Sequence, residues 1–557
     1  MSSTFLSSLL SGWLLPVIFF TAFLLSLYRP ERAWCIAKIS ARTGLIAAAV
    51  TLTATLTGLL VFNLTADLLS VTLMQLVALL GWVITGFARR YLQGESPQQH
   101  ARFVQGMLFT LTSVGLLITS QHLLLIALAW AGTSFGLHHL LTHYKERKAA
   151  QIVAHKKFIV SRLAEIAMVI ALLLIYQTAG TLSLPLLNAF IAEQPSLPVA
   201  LHWAAALFAL AAILKTAQLP LHGWLIQVME APTPVSALLH AGVVNMGGFV
   251  LIRLAELISL APVAQGMLVV VGSLTAVLAG LVMMTRISIK VRLAWSTCAQ
   301  MGFMLMEIGL GLYELALLHL LAHSLYKAYA FLSSGETVAQ SRIGDFFSKD
   351  KKRHVLLSTL FSPLLTLAVV SASVTLWQTF APELHLSPAV TPILVLGLTP
   401  LLWQEQRGQE QGRQEQGGQK QGLSLSAFII GAARVALLTQ LYLVWHLLFA
   451  QLAPAAGIAS QALMAWVAIS FIALYGLQTW IRLWPEGRVS RRLFPWAYNG
   501  FYLDETFTRL TFKYWPARLS PLQAETRFNR RNSGSRKASI TTDSSITTDS
   551  AITGEKS

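Results

Sequence analysis

The stretch LHWAAALFALAAILKTAQLPLHGW, residues 201–224, carries the most informative pattern in the chain. It starts as an apolar run of the kind that crosses a bilayer, and that run ends on a single cation, Lys215. Between Thr216 and Pro220 we expect the helix to break, because proline lacks a backbone donor. Irregular backbone at membrane depth is tolerated only inside protein or beside water. The stretch therefore predicts a broken helix, with a charged residue at the break, inside a membrane bundle.

The composition of the whole chain agrees with a membrane location. Of 557 residues, 55% are hydrophobic and 12% are charged, about half the charged fraction of an average soluble protein. The mean hydropathy is +0.61. We predict an all-α integral membrane protein with about 15 transmembrane helices. The predicted spans cover approximately residues 12–28, 44–62, 67–87, 103–119, 121–142, 158–178, 200–230, 235–258, 262–284, 290–311, 313–334, 355–378, 389–403, 424–450 and 458–483.

The basic residues predict the orientation of the chain. Most of them fall in short loops of one parity, notably 29–43, 143–157 and 335–354. Loops rich in Lys and Arg face the cytoplasm. We therefore expect a multi-pass protein of the bacterial inner membrane, with a periplasmic N-terminus and a cytoplasmic C-terminus. This topology accounts for the net charge of +17, and no nucleic-acid-binding motif accompanies it. Membrane lipid, and not nucleic acid, is the expected partner.

Neither the cysteines nor the histidines form a metal-binding pattern. Cys35 and Cys298 are far apart in the sequence, one in a basic loop and one in an apolar segment. They predict neither a disulfide framework nor a thiolate metal site. We expect no metal, no cofactor and no catalytic residue in this chain, which makes it a transport subunit and not an enzyme.

Several ionisable residues lie inside predicted spans, where each charge costs roughly 2.5–3.5 kcal/mol at the bilayer centre. Lys215 is one and His240 is another. His319, His323 and Lys327 are spaced by four, so they share one face of a helix. Histidine titrates near neutral pH, and a lysine withdrawn from water also exchanges its proton more readily there. These five residues predict a proton relay.

Simpler roles are open for some of the intramembrane residues. His240, taken alone, fits a residue that hydrogen-bonds one helix to another. Arg162 and Lys290 fit cations whose long side chains reach the cytoplasmic face. The stripe on the span 313–334 is harder to explain in this way, because three titratable groups on one buried face have no evident structural need.

Four segments give the chain a recognisable resemblance. They are KTAQLPLHGWL (215–225), MEAPTPVSALLHA (229–241), IKVRLAWST (289–297) and HLLAHSLYKA (319–328). They resemble the central signature of the antiporter-like subunits of respiratory complex I and of Mrp-type cation/proton antiporters, over about residues 100 to 335. YNGFYLDE (498–505) is similar to a C-terminal element of the largest such subunit. The resemblance implies inverted five-helix repeats with broken helices. We assign supporting roles to Arg162, His222, Glu230 and Lys290.

The chain departs from that family at two informative places. The family has a Trp-Glu pair on its fifth helix, and the glutamate pairs with the lysine of the seventh; here the stretch reads Trp130-Ala131-Gly132. Glu165 is the best remaining partner for Lys215, although it can instead pair with Arg162, three residues away. The family also carries a charge on its broken twelfth helix, whereas span 355–378 has a proline and no charge.

With these departures the chain looks most like the membrane subunit of two-component inorganic carbon pumps. That resemblance implies a subunit that conducts a cation, H⁺ by preference. The proton-motive force would then drive a large zinc-binding partner, similar to a β-carbonic anhydrase, which accumulates bicarbonate. The alternatives are a subunit of complex I or of an Mrp-type Na⁺/H⁺ antiporter, and a non-conducting scaffold.

The sequence divides into six segments. The aromatic and basic segment 484–524 is amphipathic, and it fits either a membrane-surface element or a partner-docking element. The tail is rich in Ser and Thr and is expected to be disordered. The segments are N-terminal transmembrane helices (1–102), the proton-translocating antiporter-like core (103–403), a Gln/Gly-rich cytoplasmic loop (404–423), C-terminal transmembrane helices (424–483), the amphipathic segment (484–524) and the tail (525–557).

Overall fold

The computed structural model describes residues 3–56, 67–144, 146–335, 352–382, 386, 388, 390–399, 402, 425–449 and 460–515. Within these ranges the chain is helical, and its one β feature is an isolated bridge between His122 and Ser183. The all-α prediction is therefore confirmed. The predicted loop 404–423 and tail 525–557 lie outside the described residues.

Twenty-one α-helices follow one another along the described chain. They are α1 (Ser3–Tyr28), α2 (Ala33–Leu56), α3 (Leu68–Tyr91), α4 (Pro97–Thr119), α5 (Leu123–Leu141), α6 (Lys148–Ala179), α7 (Leu184–Glu193), α8 (Val199–Lys215), α9 (Gly223–Ile226), α10 (Thr233–Ala241), α11 (Met246–Arg253), α12 (Ala255–Ser259), α13 (Pro262–Met283), α14 (Ile289–Gly309), α15 (Tyr313–Leu332), α16 (Lys352–Phe380), α17 (Val390–Thr399), α18 (Leu425–Phe449), α19 (Gln461–Leu483), α20 (Arg488–Tyr498) and α21 (Leu503–Tyr514).

Eleven of the described helical segments are long and apolar enough to cross a membrane. Four shorter apolar helices join them: Gly12–Tyr28 within α1, α7, α8 and α17. Every predicted span overlaps a described helix, and the count of about 15 crossings stays a prediction. Helix α7 was not predicted; it begins after Ser183, with Pro185 in its first turn, where a missing backbone donor costs nothing.

Two of the basic loops are shorter in the structure than predicted. Helix α2 already begins at Ala33 and α6 at Lys148, so most of loops 29–43 and 143–157 is helical. The reason is that the length of the apolar run is shorter than the helix itself when the first turns of the helix carry cations. Long basic side chains at a helix end can reach the interface while the backbone stays helical.

The predicted break after Lys215 is confirmed. Helix α8 ends at this residue, and Thr216 N–H bonds to the Ala212 carbonyl at 2.9 Å. Ala217 has a φ of +54°, so the chain leaves the helical path there, and helix structure resumes only at Gly223. The break leaves the side chain of Lys215 at the end of a helix that stops within the bundle.

A second interruption was missed by the sequence analysis, which treated 235–258 as one span. Helix α10 ends at Ala241, a 3-10 turn covers Val243–Asn245, and α11 begins at Met246. The Asn245 side-chain amide donates to the Ala241 carbonyl at 3.2 Å, and so gives that carbonyl a partner at the interruption. The apolar window of Thr233–Arg253 is entirely buried, so this irregular segment lies at the centre of the bundle.

Asp504, in the amphipathic segment, contacts the chain's own core. Packing divides the chain into Met1–Phe507 and Thr508–Ser557, and Asp504 belongs to the first unit. One carboxylate oxygen of Asp504 lies 2.7 Å from Lys156 Nζ, and the other accepts a hydrogen bond from Gln227 Nε2 at 2.9 Å. Gln227 Oε1 in turn accepts from Lys156 at 3.1 Å. This intramolecular contact is a role that the sequence analysis did not consider for the amphipathic segment.

The close approach of Asp504 explains why residue 223 is a glycine. A Cβ atom on Gly223 would lie 1.3 Å from Asp504 Oδ1. Any side chain at position 223 would therefore push the carboxylate away from Lys156, whose own side chain is fully buried.

We predict that Asp504→Ala lowers the thermal stability of the solubilised protein. The change leaves the buried Lys156 cation without its anion, which costs about 3 kcal/mol. The midpoint of thermal unfolding in detergent measures the effect. The matched control is Glu486→Ala, which removes an exposed carboxylate. Equal midpoints for the two variants would contradict the prediction.

Candidate functional site

Lys215 lies in a polar niche between three helices. Its Nζ donates to the Trp130 carbonyl at 2.9 Å and to Ser134 Oγ at 3.1 Å, both on α5. It also lies 3.5 Å from Glu165 Oε1 on α6 and 5.0 Å from the centre of the Trp130 ring. The lysine side chain is only 5% exposed. The ammonium group is thus solvated by protein oxygens in place of water.

Glu165 is shared between two cations. Arg162 Nη2 lies 2.7 Å from one of its carboxylate oxygens and 2.8 Å from the other. Arg162 also lies over the rings of Phe135 and Phe158, at 4.6 and 5.1 Å. Both pairings considered for Glu165 in the sequence therefore coexist, and the contact with Arg162 is the shorter one.

A buried lysine close to Lys215 was also missed. Lys157, which the sequence analysis placed in a basic loop, is buried and donates to the Ser134 carbonyl at 3.0 Å. The available signal was spacing, because Lys157, Ser161 and Glu165 recur at intervals of four on α6 and so share one face.

Lys157 and Lys215 line one small cavity of 20 Å³ together with Ser134 and Ser161. A cavity of that size accommodates a single water molecule, and its lining offers several polar partners. Both lysine side chains therefore line one space that is large enough for a water molecule.

Helix α10 joins this niche to the second half of the site. Leu239 and Val243 line the Lys215 cavity. Their neighbour His240 stacks on Phe331 of α15, with ring centroids 4.4 Å apart. His240 is completely buried, and neither ring nitrogen bonds to another described residue. It lies within electrostatic range of Lys327. One short helix thus contacts both groups of titratable residues.

The second group lies along α15. Lys327 is buried, and its Nζ donates to the Leu293 carbonyl at 3.0 Å and to Ser296 Oγ, both on α14. The His323 ring lies 6.1 Å from the His319 ring, and His323 is within electrostatic range of Lys327. The stripe predicted from the spacing of four is therefore assembled against α14.

The supporting residues have separate placements. Lys290 Nζ donates to Thr233 Oγ1 at 2.7 Å, which ties the start of α14 to the start of α10. The buried His222 ring packs 4.7 Å from the Trp295 ring. The side chain of Glu230 lies outside the described residues. Asn245 donates to Ser324 Oγ at 2.7 Å and so links the interrupted helix to α15.

The described ranges contain no group of three or more His, Cys, Asp or Glu side chains placed to hold a metal ion. The ionisable groups that the site brings together are lysine, histidine and carboxylate side chains inside a helical bundle.

A broken membrane helix with a buried lysine, and a helix with a His-His-Lys stripe that packs against α10, define an antiporter-like membrane subunit. The transmembrane family described as NADH:quinone oxidoreductase/Mrp antiporter matches residues 120–378, a range that holds Lys215, His240 and Lys327. The structure of the Mrp complex from Dietzia sp. DQ12-45-1b has the same fold, with a TM-score of 0.57 over 96% of this chain and 60% of that chain, at 20% identity.

Sequence relatives narrow this class further. "Probable inorganic carbon transporter subunit DabB" of Hydrogenovibrio crunogenus is 38% identical over 465 residues, which cover 81% of this chain and 83% of the relative. NADH-quinone oxidoreductase subunit L of Escherichia coli is 33% identical over 50% of this chain and 45% of its own length. The chain belongs to the DabB family of inorganic carbon transporter subunits.

We predict that the carboxylate of Glu165 is needed for inorganic carbon transport. Glu165→Gln removes the anion nearest to Lys215, so uptake is expected to fall about tenfold or more. Adding Ala131→Glu to that variant is expected to restore part of the uptake. The reason is that the new carboxylate takes the position on α5 where the resemblance implies a glutamate. Uptake of labelled inorganic carbon by cells, at matched protein levels, measures both effects.

The double variant Arg162→Leu with Glu165→Leu separates the two pairings. If Glu165 only neutralises Arg162, removing both charges together leaves transport intact. Normal uptake by the double variant would therefore refute the pairing of Glu165 with Lys215.

Proposed function

We propose that the chain conducts protons through the membrane and thereby supplies energy to an inorganic carbon transporter. The observation that carries the proposal is the arrangement of Lys215 and Lys327, two buried lysines solvated by carbonyl and hydroxyl groups, with His240 on the segment between them. Membership of the DabB family supports inorganic carbon as the transported substance. The buried lysines and histidines support H⁺ as the coupling ion.

The electrostatics favour a transport role over a scaffold role. Burying an ammonium group is costly unless an anion accompanies it. Lys215 has only a share of one carboxylate, because Arg162 also binds Glu165. Among the described residues, no carboxylate lies within ion-pair distance of Lys327, and its partners there are a carbonyl and a hydroxyl. A lysine in such a place can give up its proton and remain hydrogen-bonded.

Each transfer along this arrangement conserves the proton and changes only the charge of two side chains. A proton on Lys215 is stabilised by Glu165, and its departure leaves a neutral amine held by Ser134. His240 accepts or returns a proton at a ring nitrogen, and Lys327 does the same at Nζ. The unpaired ring nitrogens of His240 and His323 fit such a relay, because a fixed structural histidine would have both nitrogens hydrogen-bonded.

The energy of one proton crossing the membrane is sufficient for the accumulation of bicarbonate. One elementary charge that crosses ~150 mV supplies roughly 3.5 kcal/mol. At about 1.4 kcal/mol per factor of ten, this supports a concentration ratio of a few hundredfold. Proton movement through this chain is therefore adequate to drive accumulation of bicarbonate.

The chemical step on inorganic carbon belongs, in this proposal, to a partner. The described part of the chain offers acid–base groups and no metal cluster. We propose a zinc-binding partner that resembles a β-carbonic anhydrase and hydrates CO₂ in one direction, and a hetero-oligomer located in the bacterial inner membrane.

We predict that Lys215→Arg and Lys327→Arg abolish proton conduction while the protein still inserts. Arginine keeps the cation but does not release its proton, so it removes the relay and preserves the charge. Proton flux is measured with a pH-sensitive dye in vesicles that hold the complex, with protein level checked by blot. Lys148→Arg, at an exposed position on α6, is the matched control. Wild-type flux in both relay variants would contradict the proposed path.

We also predict that gentle purification of the chain from its native membrane recovers a zinc-binding subunit of the carbonic anhydrase type. Mass spectrometry and elemental analysis of the purified complex identify it. Recovery of quinone reductase subunits or of other antiporter subunits would instead favour the alternative of a complex I or Mrp-type assembly.

A further inference from the structure

The resemblance to antiporter-like subunits implies a charge on the broken twelfth helix, and the matching span is uncharged here. Helix α16 corresponds to the predicted span 355–378, which has Pro363 and no ionisable residue. The path between water and Lys327 therefore needs other titratable groups. The His-His-Lys stripe itself indicates a direction, because it extends about 12 Å along α15 from Lys327 to His319 at 1.5 Å per residue.

His319 makes direct contact with a buried carboxylate. Its Nδ1 lies 2.9 Å from Glu307 Oε2 on α14. The Glu307 side chain is 2% exposed, and the other ring nitrogen of His319 has no partner among the described residues. Glu307 is thus the next titratable group after the stripe, at the end of the bundle away from the basic loops.

A second acid–base pair lies at the same end. His446 Nδ1, near the end of α18, lies 2.8 Å from Glu314 Oε1 in the first turn of α15. The adjacent Trp445 donates its indole N–H to the Glu314 carbonyl at 3.1 Å, which fixes α18 against the start of α15. Glu314 is 18% exposed, so this pair is closer to water than Glu307.

The turn between α14 and α15 brings the two glutamates to the same end of the helix pair. Leu312 N–H donates to the Glu307 carbonyl at 2.9 Å, and Gly311 adopts a φ of +77°, which favours glycine. Tyr442, one turn before His446 on α18, packs in the hydrophobic cluster that also holds Leu310 and Leu312. Its buried hydroxyl has no partner among the described residues, and its ring centroid lies 6.2 Å from that of His446.

We propose that Glu307, Glu314 and His446 form the first segment of the proton path, at the outer end of the bundle, away from the basic loops. The inference rests on the proposed proton conduction. A proton enters from water at the Glu314–His446 pair and passes to a carboxylate oxygen of Glu307, which becomes a neutral carboxyl. It then moves to a ring nitrogen of neutral His319, so an imidazolium results and Glu307 is again a carboxylate.

A purely structural role explains these contacts less well. A histidine–carboxylate pair buried to this degree costs more desolvation than an apolar pair of the same volume. The exposure of the acids rises from Glu307 to Glu314, which is the order that a path to water requires. Both acids also have a histidine in direct contact, so each step of the route has a donor and an acceptor.

The test measures proton flux in vesicles for Glu307→Gln, Glu314→Gln and His446→Asn in the complex. Glutamine keeps the shape and the hydrogen-bonding capacity of glutamate but carries no proton, so flux is expected to fall about tenfold or more in each variant. Glu256→Gln and His122→Asn are the matched controls, because both residues are exposed and neither belongs to the path. Both controls are expected to conduct at the wild-type rate.

The outcomes separate this inference from the proposed function. If wild type conducts, Lys215→Arg does not, and Glu307→Gln, Glu314→Gln and His446→Asn all conduct normally, the entry route is wrong and the proposed function stands. If wild type itself conducts no protons, the proposed function fails first. Should Glu307→Gln fail to insert, the more exposed Glu314→Gln and His446→Asn decide, and normal flux in both overturns the inference.

Discussion

The rest of the structure depends on the burial of Lys215 at the end of a helix that stops inside the bundle. The ammonium group has exchanged water for the Trp130 carbonyl, the Ser134 hydroxyl and part of the Glu165 carboxylate. That exchange requires three helices to meet at one depth, and it requires α8 to end where it does. The irregular backbone that follows is tolerated because it lies inside protein. The interrupted helix α10–α11 fills the centre beside it.

From that constraint follows a chain of titratable groups, each held by a neighbouring helix. Glu165 divides its charge between Arg162 and Lys215, so neither cation is fully neutralised. His240 stands between the two lysine groups, and the stripe on α15 continues toward a pair of acids. The resemblance to antiporter-like subunits implies a carboxylate on α5 and a charge on the twelfth helix, and the sequence has neither. In the proposed path, acids on α6, α14 and α15 take their place.

The sequence predicts the parts of this picture that depend on local chemistry. Pro220 and an apolar run ending at Lys215 predict the broken helix, and a spacing of four predicts the shared face on α15. The sequence does not predict contacts between helices distant in the chain. Asp504 meets Lys156 across 348 positions, and His446 meets Glu314 across more than 100. Lys157 was assigned to a loop because the sequence does not distinguish a solvated from a buried basic residue near the end of a membrane helix.

The central claim is that protons cross the membrane through this chain. Its most direct test imposes a K⁺ diffusion potential, negative inside, on proteoliposomes that contain the purified complex, and follows internal pH with a trapped dye. If protons cross through the chain, the interior is expected to acidify at the same rate with and without Na⁺, and not at all in protein-free liposomes. An internal pH that stays at the protein-free level, or that changes only when Na⁺ is present, would contradict it.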